Sequence, residues 1–162
     1  MSSILANDVR AQYDKSFSTI RDIVEIFPKN KWLEPHGDEY YIPCRIAYHL
    51  AIFIDRMVAN GFQDPDFTSK LPYGSWTEAT ANDLPDKTTF LSYYDEVIGR
   101  AQEVLAFLDD DILSVALEPE RAWMGTSQIG AHLYSMRELS AHTGELNKML
   151  IENGVHDVWN AR

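Results

Sequence analysis

The stretch Glu138-Leu139-Ser140-Ala141-His142-Thr143-Gly144-Glu145-Leu146 decides the fold, because it sits in a segment where apolar residues recur at helical spacing. Ile129, Leu133, Met136, Leu139, Leu146 and Leu150 form the buried stripe of that helix. Thr126 or Ser127 is suited to cap its start, and Asn153-Gly154 to stop it. Four residues advance about 400° around a helix, roughly 40° net, so Glu138 and His142 project from one face a turn apart. A carboxylate and an imidazole so placed can chelate one ion.

Working outward, three further helices are predicted. Leu5, Val9, Tyr13, Phe17, Ile20, Val24 and Phe27 define the first, which Pro28 ends. The second opens at Pro43, whose missing N–H suits a first helical turn, and closes at Asn60-Gly61. It is almost wholly apolar and carries His49. The third starts with Thr88 or Thr89 as N-cap and runs through Phe90, Tyr93, Tyr94, Val97, Ala101, Val104 and Phe107 to an Asp109-Asp110-Asp111 break, read as solvated surface. Residues 61 to 87 are rich in Asp, Pro, Gly and Ser yet hold Phe62, Phe67, Tyr73 and Trp76, which predicts a crossover packed over the helices. Such a crossover lets helices two and three run parallel, while the shorter links suit antiparallel neighbours. The expected fold is all-α: one domain over 1–162, a four-helix bundle running up-down-down-up.

Composition narrows the function. A net charge of −11 disfavours nucleic acid, whose binding needs clustered Lys and Arg. No apolar run reaches the roughly 18 residues that span a bilayer, and the start lacks a signal-peptide pattern, so a cytoplasmic location with no membrane partner is expected. The single cysteine, Cys44, excludes an internal disulfide. It falls in the first turn of helix two, where the dipole favours a thiolate, although a small buried apolar role is the simpler expectation.

If helices two and four pack together, His49 joins Glu138 and His142 and three metal-ligand side chains converge. The plain alternative makes His49 a hydrogen-bonded core histidine and Glu138–His142 a surface pair. An unpaired imidazole in so apolar a helix is costly, which favours the ligand role. Two nitrogens and one oxygen leave a position open on tetrahedral zinc, and they are also the facial triad of non-haem iron enzymes. Arg45 and Arg56 lie four residues before and seven after His49, within roughly 40° and 20° of its direction, and are candidates to meet an anionic substrate. Pairing with Glu138 or Glu145 is their alternative. Ser135, seven residues before His142, shares its face and is a candidate to orient a ligand. His132 points away from the chelating face and is read as structural; His36 and His156 are read as solvated.

A histidine in the second helix, followed in the fourth by Glu-x-x-x-His-x-Gly and then Glu-Leu, resembles the DinB-like superfamily of metal-binding four-helix bundles, in the branch with the mycothiol-dependent maleylpyruvate isomerases. The likeness covers nearly the whole chain. It implies His49, Glu138 and His142 as metal ligands, Glu138 standing where many relatives have histidine. It further implies zinc or nickel as the ion, with iron left open by the carboxylate, and transfer or isomerisation chemistry on thiol-linked substrates. With the open metal position, the expected function is a thiol S-transferase, isomerase or hydrolase acting on a small-molecule substrate, with a low-molecular-weight thiol as candidate cofactor; the alternative is a non-catalytic binding or stress-response bundle. Relatives of this kind are often homodimers.

Overall fold

Each predicted apolar-periodic segment is helical in the computed structural model, which describes residues 3–38 and 40–156, the side chain of Phe62 excepted. The long helices are α1 (Ile4–Ile26), α2 (Pro43–Met57), α3 (Lys87–Ala106) and α5 (Gln128–Glu152), with a short α4 (Asp110–Ser114) before the last. Short 3-10 segments occupy 29–31, 61–63, 67–70 and 119–124. There is no β-strand among the described residues. Helix α2 packs on α3 and α5, and α1 on the same two, so the four long helices enclose one core.

The helix ends follow local chemistry. Pro43 stands at the first position of α2, and Asn153 with Gly154 (φ +79°) ends α5. The cap of α3 is Asp86 rather than Thr88 or Thr89: its carboxylate accepts from the amides of both threonines at 2.9 and 3.0 Å. Both threonines spend their N–H groups on that acceptor, so neither is the cap. The acidic run is likewise not merely solvated. Asp109 accepts from the Ile112 amide to cap α4, and Asp110 accepts from the Ala6 amide (3.0 Å) and the Ser3 hydroxyl. A carboxylate from a distant part of the chain thus caps α1, which has no side-chain cap of its own.

The buried face of α5 runs through Ala131, Ser135, Leu139, Thr143, Leu146 and Leu150. Leu133 lies between two of those positions, which sets it on the opposite side of the helix, and it is 60% exposed. Leu5 and Phe107, expected in the core, are 52% and 81% exposed, Leu5 in the first turn of α1 and Phe107 just past the last residue of α3.

The crossover is pinned to α2 by two side chains. Arg45 donates to the carbonyls of Trp76 (2.6 Å) and Thr77, while the Tyr48 hydroxyl donates to the carbonyl of Gly74 (3.0 Å) and accepts from the Tyr73 amide (3.3 Å). Phe67, Tyr73 and Trp76 pack against the core as expected, and Phe62 lies outside the described side chains.

His132 is structural. Its Nδ1 meets the Tyr13 hydroxyl at 3.0 Å, and burial, reinforced by the Arg121 charge, pulls its pKa from 6.5 down to about 4. The folded state therefore prefers the neutral ring. Its contribution to stability is complete above about pH 6.5 and is lost as pH falls through about 4, because the unfolded chain binds the extra proton first. Between pH 7 and pH 4.5 denaturant unfolding should lose about 2 kcal/mol through this group. His132→Gln should flatten that slope by the same amount, and an unchanged slope would place the acid sensitivity elsewhere.

Candidate metal centre

The packing of α2 on α5 brings His49 to His142: the ring centroids lie 4.6 Å apart with the planes at 89°. One turn before His142, Glu138 places Oε2 at 3.9 Å from His142 Nε2. On the other side of that ring, Nδ1 meets Glu145 Oε2 at 2.8 Å. When this contact carries the ring proton, Nε2 keeps a free lone pair on the Glu138 side. His49 is covered by the Trp76 ring at a centroid distance of 3.9 Å, and its Nδ1 is buried with no hydrogen-bond partner. Burial, and then the neighbouring His142, pull the His49 pKa from 6.5 to about 4 against the opposing Glu138 charge. At neutral pH His49 is therefore an uncharged imidazole.

Among the described residues, no three His, Cys, Asp or Glu side chains are gathered at metal-binding geometry. Two ligands of one tetrahedral zinc stand about 3.3 Å apart, whereas the His142–Glu138 pair stands at 3.9 Å. The donor chemistry nevertheless suits an ion, since two imidazoles are adjacent, a carboxylate lies beside one of them and a buried nitrogen of the other has no partner.

The remaining candidates separate. Arg45 is buried, lies against the Tyr40 ring at 5.1 Å, and works on the crossover carbonyls rather than on a ligand. Ser135 is buried beside the Tyr13 hydroxyl, on the α1 side of α5. Arg56 does share a cavity with His49. Cys44 is buried with its thiol directed at the Pro85 carbonyl, and burial raises its pKa, so the thiolate reading of helix two's first turn does not hold. His36 pairs with Glu152 at the surface, and His156 is exposed.

The cavity measures about 560 Å³, within the range of small-molecule sites. Its apolar wall is built by Ile52, Phe53, Met57, Trp76, Trp123 and Met124. Sequence reading missed Trp123, and it placed Trp76 only as crossover packing. The aromatic richness of loops otherwise polar was the available signal. Compared with family models, with curated proteins and with solved structures, the chain finds no match. The function therefore rests on the geometry of the site.

Proposed function

We propose that the chain is a small metalloprotein in which His49, Glu138 and His142 hold one divalent transition ion with a coordination position left open. We propose further that it acts on a small-molecule substrate as a thiol S-transferase, isomerase or hydrolase. The observation that carries this reading is His49 Nδ1, a buried atom without a partner on a ring set edge-on to a second imidazole. Leaving such an atom unsatisfied costs on the order of 1–3 kcal/mol, and a shared ion is the partner that the neighbouring His142 and Glu138 would also accept. The DinB-like resemblance favours zinc or nickel and an up-down-down-up arrangement of the four long helices.

Bound there, the ion would supply Lewis acidity and ionise a weakly acidic O–H or S–H near neutral pH. The chain's own residues prepare that chemistry. His49 stays unprotonated because burial holds its pKa low, so its lone pair is available at pH 7. Glu145 orients the His142 ring through Nδ1. Trp76 covers one side of His49 and limits the approach of water.

The competing reading is a non-catalytic binding or stress-response bundle in which an ion merely joins α2 to α5. Cobalt(II)-substituted protein separates the two. An open site should give a visible band that moves when 2-mercaptoethanol or a small anion is added, since either can take the vacant position. Chelation should then leave the far-UV circular dichroism intact, because the apolar core supplies the folding energy. A band indifferent to thiol and anion, with helicity lost on chelation, would select the structural reading.

A further inference from the structure

Beyond His49 the cavity has a lopsided chemistry. Its wall is apolar and largely aromatic, with Phe53, Trp76 and Trp123 among its rings. The Trp123 ring is 64% exposed, held edge-on to Tyr134 at 4.9 Å, and Tyr134 in turn lies 6.2 Å from Phe53. Phe53 continues to His49 at 6.4 Å and His49 to Trp76. A contiguous row of rings therefore runs from the solvent edge to the candidate metal ligands. Exposed indole and phenyl surface arranged in this way favours a flat apolar body, which buries area against it with little loss of rotamer freedom.

Charge at the mouth is divided by depth. Glu118 and Glu120 line the cavity but are exposed. Arg121, the residue after Glu120, is half-buried, and desolvation lowers its pKa, so a nearby anion would offset part of that cost. Arg56, one turn after Ile52 on α2, lines the same cavity from an exposed position and enters no hydrogen bond or ion pair among the described residues. The lining is thus an aromatic slot in which the one half-buried charge is the Arg121 guanidinium, with the exposed Arg56 guanidinium at its rim. A guanidinium fork matches a carboxylate with two parallel hydrogen bonds.

We infer that this slot binds planar organic carboxylates, the apolar body lying along Phe53, Trp76 and Trp123 and the carboxylate reaching Arg56. The inference deepens the proposed metal site, and rests on it for the idea that the bound molecule is a substrate. Binding itself requires only the slot.

The test uses 2-naphthoate as the probe, with neutral 2-naphthalenemethanol and cationic 2-naphthyltrimethylammonium as comparisons, each titrated calorimetrically into the full chain as purified and again with chelator present. Naphthoate should bind at least about tenfold more tightly than either comparison, since one charge-assisted contact is worth about that factor. Arg56→Met should remove most of the preference for naphthoate while leaving the neutral compound unchanged. Trp123→Ala should weaken both by about tenfold. Arg56 and Trp123 are exposed, so neither variant threatens the fold. Preference for the cation, equal binding of all three, or naphthoate binding abolished by chelator but insensitive to Arg56→Met would overturn the inference. The chelator arm keeps the two proposals apart, because a slot that binds naphthoate without metal survives loss of the metal reading. Conversely, a loaded metal site with no naphthoate binding removes only the slot.

Discussion

Alanine at His49 or at His142 should abolish metal binding. Protein purified without chelator is expected to carry about one divalent transition ion per chain, and each variant should fall to background by elemental analysis. With two ligands left, affinity drops by on the order of a hundredfold or more. Glu138→His should retain the ion, because a third imidazole replaces a carboxylate at the same helical position. Glu145→Gln should weaken binding by about 10- to 100-fold without abolishing it, since Glu145 touches His142 from the side away from Glu138. A separate signature comes from the metal-free protein. His49→Leu removes a buried nitrogen that lacks a partner, so the variant's metal-free form should be about 1 kcal/mol more stable than the parent's. Metal content unchanged in both alanine variants would remove the site.

The largest loss of stability is expected from Trp32→Ala. Trp32 is 1% exposed, its ring lies 6.0 Å from Phe27 and 5.4 Å from Phe90, and its Nε1 donates to the Pro85 carbonyl at 3.2 Å. Its own carbonyl accepts from the Cys44 amide at 3.1 Å, at the start of α2. One residue therefore joins the α1–α2 link, the first turn of α2 and the end of the crossover. Truncation should cost about 3–5 kcal/mol, and thermal unfolding should fall by roughly 10–15 °C. Trp32→Phe should recover part of the loss, keeping apolar area but leaving Pro85 without its donor. A fall of under about 3 °C for the alanine variant would mean that the core closes over the gap.

The helices were legible because apolar side chains recur at the helical period, and that signal survives wherever one face is buried. Cap assignment was harder at α3, since Asp86, Thr88 and Thr89 all have oxygens able to cap and only the actual register selects Asp86. The distant cap supplied by Asp110 to α1 leaves no local mark at all. In the site, Glu138 and His142 share one helix and are readable from spacing, whereas the approach of His49 depends on α2 packing against α5. Angle alone misled for two candidates. Arg45 shares His49's direction around α2, but helical side chains lean toward the N-terminus, and Arg45 reaches the crossover carbonyls. The same lean brings Arg56 back toward His49. Ser135 shares the direction of His142 but sits about 10 Å lower along the axis, at the level of Tyr13.

The hydrogen bonds that tie the crossover to α2 engage its backbone: Arg45 and Tyr48 hold the carbonyls of Gly74, Trp76 and Thr77 and the amide of Tyr73. Carbonyls belong to every residue, so these fastenings are blind to the side chains they hold, apart from Gly74, whose φ of +69° favours glycine. A change of the Trp76 side chain therefore leaves these hydrogen bonds to the roof of the cavity in place. Trp76 can be exchanged for a residue of another shape while α2 and α5 keep His49, Glu138 and His142 in place, which separates the choice of molecule admitted from the machinery that would act on it.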